Sequence, residues 1–125
     1  MAKIDKKILL VEDDEDFRFI LQKKFELEGF TIITAKDGQE GISMTEKEKP
    51  DLIFSDMLIP KIDGATMAKK IREKNAAVPI IFLTIMKDVN STLEAQKSGQ
   101  YDYLIKADTR IADIVEKAKA ELGIR

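Results

Sequence analysis

The chain has 125 residues, of which 44% are hydrophobic and 35% charged, and its formal net charge is -2. That length fits one domain with a real core, and the near-balance of charge gives no reason to expect nucleic-acid binding by bulk electrostatics. Neither cysteine nor histidine occurs, which excludes disulfides, thiolate and imidazole metal sites, cysteine nucleophiles, Ser-His catalysis and an internal phosphohistidine.

The start carries Lys3, Lys6 and Lys7, a basic run that reads as solubilising the terminus. It lacks the apolar region of a signal peptide, and no stretch approaches the length of a membrane span, so a cytoplasmic protein is expected. Ile8-Leu9-Leu10-Val11 is the first short apolar run. A helix pattern follows, with Phe17, Ile20, Leu21 and Phe25 as its stripe and Gly29 as its carboxyl cap. Thr31 to Thr34 is the second run, and residues 38–48 form a weak helix pattern with only Ile42 and Met44 as sizeable apolar groups and Asp37 as amino-terminal cap.

Leu52 to Ser55 is the third run. After the turn Pro60-Lys61-Ile62-Asp63-Gly64 comes a helix around Met67, Ala68 and Ile71, with Asp63 read as a turn or cap residue. Ile80 to Leu83 is the fourth run. Residues 88–97 are a second weak helix, with Val89, Leu93 and a possible cap at Asp88. Tyr101 to Ile105 is the fifth run, and a clear helix follows with Ile111, Ile114, Val115, Ala118 and Leu122 before Gly123. Three of the runs are apolar without alternation, as strands covered on both faces require. Five strand-then-helix repeats with short connections predict one α/β domain with helices on both faces of a parallel sheet.

The informative polar residues fall at strand ends: Glu12 and Asp13, Asp56, Thr84 and Lys106. Carboxyl ends of parallel strands share one edge, and ligands bind there in the crevice where the strand order reverses; in the order 2-1-3-4-5 it lies between strands one and three. Three converging carboxylates repel, by about 4 kcal/mol for each close pair at ~4 Å and an effective dielectric of ~20. A cation offsets this. An oxygen-only donor set favours magnesium, with manganese as a second choice, over zinc. Aspartate can attack phosphorus to form an acyl phosphate, and a lysine and a hydroxyl are suitable donors to the transferring oxygens.

The segments Ile8-Leu-Leu-Val-Glu12-Asp13-Asp14, Asp51-Leu-Ile-Phe-Ser-Asp56-Met-Leu-Ile-Pro60-Lys-Ile-Asp63-Gly64, Pro79-Ile-Ile-Phe-Leu-Thr84 and Gly99-Gln-Tyr-Asp-Tyr103-Leu-Ile-Lys106 together resemble response-regulator receiver domains. The resemblance covers roughly residues 7–122. It implies a three-layer, doubly wound, flavodoxin-like (βα)5 fold, and one receiver domain over residues 1–125. It also implies that Asp56 is the phosphorylation site. Asp13 and Asp56 would ligate magnesium, with Glu12 acting through water and the Leu58 backbone carbonyl as a further ligand. Lys106 would pair with phosphoryl oxygens, and Thr84 and Tyr103 would act as the switch pair that remodels the surface of the fourth helix, fifth strand and fifth helix.

The implied partners are a sensor histidine kinase or histidine phosphotransfer protein and a downstream protein target, with no direct nucleic acid or membrane contact. The domain would be a monomer or a weak phosphorylation-dependent dimer, acting alone or as part of a larger regulator or hybrid kinase.

Two departures from the family pattern matter. Ala107 replaces the usual proline after Lys106, which predicts a trans Lys106-Ala107 peptide, because cis costs ~2.5–4 kcal/mol before a non-proline residue. Ile85 stands where a small residue is usual. Leu58 and Met86 offer no polar group to orient water, which predicts slow self-dephosphorylation. The main rival reading is a degenerate receiver that binds partners without phosphorylation. An aspartyl-phosphate phosphatase is disfavoured, because the sequence after Asp14 and Asp16 does not continue that family's motif. No phosphate-binding glycine loop is present.

Overall fold

The computed structural model describes residues 3–84, 101–105 and 109–124. In chain order these form β1 (Lys7–Val11), α1 (Glu15–Leu27), β2 (Thr31–Ala35), α2 (Gly38–Glu48), β3 (Leu52–Asp56), α3 (Gly64–Lys74), β4 (Ile80–Thr84), β5 (Tyr101–Ile105) and α4 (Ile111–Glu121). The strands make one parallel sheet in the order β2-β1-β3-β4-β5. The weak helix expected over 88–97 lies outside the described residues, as does its cap Asp88.

Alternate residues of each central strand enter different cores. Leu9, Val11, Ile53, Ile80 and Phe82 pack with Met67, Ala68 and Ile71 of α3 on one face. Ile8, Leu10, Leu52, Phe54, Ile81 and Leu83 pack on the other with Leu21 and Phe25 of α1 and Ile114, Val115 and Ala118 of α4. Both faces are covered, so the central strands have no solvated side and carry unbroken apolar runs. Among the described helices none is long and apolar enough to cross a membrane.

Local chemistry sets the helix ends. Asp14, Asp37 and Asp63 cap α1, α2 and α3 through side-chain oxygens that accept from the amides of Phe17, Glu40 and Thr66. Helices α1 and α4 both end in a Schellman arrangement. Gly29 (φ 103°) donates to the Glu26 carbonyl and Phe30 to that of Phe25, while Gly123 (φ 68°) donates to Ala120 and Ile124 to Lys119. The positive φ at Gly29 and Gly123 is the conformation that glycine adopts without a Cβ penalty.

Two expectations need correction. Ile20 is not in the apolar stripe of α1: it is 48% exposed, and only Leu21 and Phe25 of that helix are fully buried. Lys7 does more than solubilise the terminus, because it opens β1 and its Nζ donates to the Glu48 carbonyl at 3.0 Å, pinning the end of α2.

Candidate functional site

The sheet register assembles the site. β1 pairs with β3 from Ile8↔Leu52 to Val11↔Ser55, so the next step along each strand brings Glu12 beside Asp56. The Glu12 amide donates to the Ala35 carbonyl of β2 at 2.9 Å, continuing the ladder one residue past β1. Asp56 lies within β3 as its last residue rather than beyond it, and pairs in register with Leu83.

Carboxylate oxygens of Glu12, Asp13 and Asp56 all lie within 4.8 Å of one another. Glu12 and Asp56 are buried, and Asp13 is exposed. Burial of two carboxylates lowers the effective dielectric between them and strengthens their mutual repulsion. Two backbone amides hold this arrangement. The Glu12 carboxylate accepts from the Asp14 amide at 3.0 Å, and Asp56 Oδ1 accepts from the Leu58 amide at 3.2 Å. The all-oxygen, short-range, partly solvent-facing set fits a hard divalent cation that retains some of its waters.

Thr84 ends β4 and pairs in register with Ile105, the last residue of β5. The carboxyl ends of β4 and β5 thus lie at the same sheet edge as Glu12 and Asp56. The Lys106 side chain, the Lys106-Ala107 peptide, Ile85, Met86 and the side chains of Thr84 and Tyr103 lie outside the described residues.

Two contributors escaped the sequence reading. Arg18, a turn into α1, donates from Nη1 to the Glu12 carbonyl at 2.8 Å and ties the acidic loop to the helix. Gly64, at the start of α3, donates its amide to the Met57 carbonyl at 2.8 Å. A Cβ at Gly64 would sit 2.7 Å from the Asp56 carbonyl oxygen and 2.9 Å from Met57 Cα. The Asp-Gly pair after the proline turn is the sequence signal for that close approach. Arg18 has no comparable signal, since its partner is a backbone oxygen.

Residues 8–119 match the family model described as "Response regulator receiver domain". Among curated relatives, the chain is 38% identical over 103 residues to the alkaline phosphatase synthesis transcriptional regulatory protein PhoP of Bacillus subtilis, covering 82% of this chain and 43% of PhoP. It is 39% identical over 108 residues to the transcriptional regulatory protein RprY of Bacteroides fragilis, covering 85% of this chain and 46% of RprY. The chain therefore spans less than half the length of either relative.

Among solved structures, a two-component response regulator from Clostridium difficile superposes with a TM-score of 0.88 at 35% identity, covering 94% of this chain and 96% of that one. The BeF3-activated N-terminal receiver domain of RstA from Klebsiella pneumoniae does so with a TM-score of 0.86 at 25% identity, covering 93% and 97%. The chain belongs to the response regulator receiver domain family, the phosphoryl-accepting modules of two-component signalling.

Proposed function

We propose that Asp56 is the acceptor, and that residues 1–125 act as a single receiver domain phosphorylated by a sensor histidine kinase or a histidine phosphotransfer protein. One Asp56 carboxylate oxygen bonds to phosphorus as the P–N bond to the partner's imidazole breaks, and that imidazole leaves with a proton. The observation that carries this reading is the trio Glu12, Asp13 and Asp56, with oxygens within 4.8 Å at the carboxyl edge of the sheet. Magnesium held by these residues and by the Leu58 carbonyl, or manganese in its place, would supply positive charge to the carboxylates and the phosphoryl oxygens.

The chain's own groups do the remaining work. The Leu58 amide fixes one Asp56 oxygen, which orients the carboxylate for in-line attack. Arg18 and the Asp14 amide hold Glu12 in place. Lys106 and the Thr84 hydroxyl serve as donors to the transferred phosphoryl group, and Thr84 with Tyr103 passes the change to the face of the 88–97 segment, β5 and α4. A downstream protein reads that face. Leu58 is apolar and 55% exposed beside Asp56, so it offers hydrolytic water no partner, and the acyl phosphate persists for minutes rather than seconds.

The test is incubation with magnesium and acetyl phosphate or phosphoramidate, followed by intact mass. One phosphoryl group is gained by the wild type, and none by Asp56→Asn or without the metal. A chain that stays unmodified by every donor, or a gain that survives Asp56→Asn, overturns the assignment. In the first case the degenerate-receiver reading takes over.

A further inference from the structure

On the sheet face opposite α1 and α4, a groove runs between α2 and α3. One hollow of about 280 Å³ has Ile42, Ile71 and Pro50 in its floor and Lys49, Lys70, Lys74 and Glu46 among its lining residues. A second hollow of about 230 Å³ shares Ile42, Glu46, Lys70 and Lys74, adds Glu73, so that its charges balance, and continues the groove to Ile62 near the start of α3. The first end is basic, with three lysines against one glutamate, in a chain whose net charge is -2.

Ordinary helix chemistry explains only part of that charge. A lysine in the last turn of a helix complements the dipole, which accounts for Lys74. It does not account for Lys70, which lies outside the last turn of α3, or for the backbone at Lys49. Lys49 caps α2 in the left-handed region, with φ 50°, where glycine or asparagine is favoured and a lysine is strained. A strained residue that adds a positive charge to the rim of an apolar groove is a pointer to function. Across the groove Lys74 Nζ meets Glu46 at 2.5 Å, and both side chains are at least half exposed. A ligand carboxylate can take the place of Glu46 on Lys74 with little lost.

We propose that the α2–α3 groove docks an acidic polypeptide segment, with carboxylates at the Lys49, Lys70 and Lys74 end and an apolar side chain over Ile42 and Ile62. A polypeptide suits the shape. The groove follows an 11-residue helix, about 16 Å long at 1.5 Å per residue, which an extended run of about five residues spans. Each hollow is sized for one or two side chains rather than for a whole enclosed ligand. The site is separate from Asp56 and independent of phosphoryl transfer.

The probe is the tetrapeptide acetyl-Glu-Glu-Leu-Ile-amide, titrated into the full chain and followed by amide nitrogen–proton NMR. Shifts are expected to cluster on α2 and α3, to weaken with added salt, and to be absent with Lys-Lys-Leu-Ile and Glu-Glu-Ser-Ser. The Lys49→Gly and Lys70→Gln double variant should bind about tenfold more weakly. Lys49→Gly alone should weaken binding while raising Tm, because it relieves the left-handed backbone; this separates lost binding from lost fold. Shifts centred elsewhere, unchanged affinity in the double variant, equal binding of the lysine peptide, or octanoate binding as tightly as the peptide would each overturn the proposal.

Discussion

Asp13 is the exposed member of a trio whose other two carboxylates are buried. In metal-free protein its charge opposes folding, because Glu12 and Asp56 cannot move away from it. Asp13→Asn should therefore stabilise the metal-free chain by about 1–2 kcal/mol, an amount reduced from the close-pair value by solvent around Asp13. The same variant should lose most of the stabilisation that the wild type gains from millimolar magnesium. Urea unfolding with and without the metal reads both effects, and a variant less stable than wild type without magnesium contradicts the repulsion. Gly64 acts on the same site from behind. Its neighbours at the Cβ position are the Asp56 carbonyl and Met57 Cα, with the Phe82 ring edge at 3.0 Å, and backbone atoms cannot rotate aside. Gly64→Ala should cost about 1–3 kcal/mol as an overpacked contact, and should slow modification by acetyl phosphate because Asp56 itself is pushed.

At the scale of elements, α2 explains why one helix was nearly illegible in the sequence. Its fully buried residues are Gly38, Gly41 and Thr45, so the face that meets β1, α3 and the 57–63 loop carries almost no hydrophobic signal. Ile42 and Met44, the residues that a periodicity search finds, are only partly buried. The two glycines should respond differently to the same methyl group. At Gly38 it runs into the Ile62 carbonyl, whereas at Gly41 it meets the flexible end of Met67 at 2.7 Å and Val11 Cγ2 at 3.1 Å.

Gly38→Ala should thus cost about 2 kcal/mol or more. Gly41→Ala should stay within about 1 kcal/mol of wild type, since alanine's helix propensity offsets the shift of the thioether. Thermal unfolding of the two variants ranks them, and the reverse order would refute this account of the packing. The strands were legible for the opposite reason: a strand covered on both faces must be apolar throughout. Glu12, Asp13 and Asp56 stood out because each interrupts such a strand at its end. Arg18 did not, because its partner is a backbone oxygen that no residue type announces, whereas the closeness at Gly64 was signalled only by the Asp-Gly turn. Ile20 was misread because the spacing 17, 20, 21, 25 admits it, while α1 meets the core along the narrower line of Leu21 and Phe25.

Across the whole molecule, two ion-pair groups couple α4 to distant parts of the chain, and they respond to pH differently. Lys119 of α4 meets Glu28, the cap of α1, at 2.9 Å. The Lys119 hydrogen bond and charge hold the Glu28 carboxyl below its ordinary 4.5, and Glu28 raises Lys119 above its ordinary 10.5. A depressed carboxyl stabilises above its ordinary value and loses that effect as pH falls through its folded value. A raised lysine stabilises below its ordinary value and loses that effect as pH rises. This link is therefore steady across neutral pH.

At the sheet edge, Asp102 of β5 meets Lys117 at 3.0 Å, and Lys117 meets Glu121 at 3.6 Å. The hydrogen bond between the two carboxyls lowers Asp102, with Lys117 adding to the effect. It raises Glu121, with burial adding there. A raised carboxyl binds its proton more tightly folded than unfolded, so the Glu121 contribution to stability falls as pH climbs above its ordinary 4.5, while the lowered Asp102 contributes stability above its ordinary 3.8 and loses it as pH falls. Glu121→Gln keeps a donor for Asp102 and removes the charge that repels it. The variant should be more stable than wild type at pH 7, and the difference should close as pH drops below about 4.5, where Glu121 is protonated in both states. Denaturant midpoints measured from acid to neutral pH decide it. A gain that stays constant down to the lowest pH would mean that the substitution acts through packing at the β5–α4 seam and not through the shared proton.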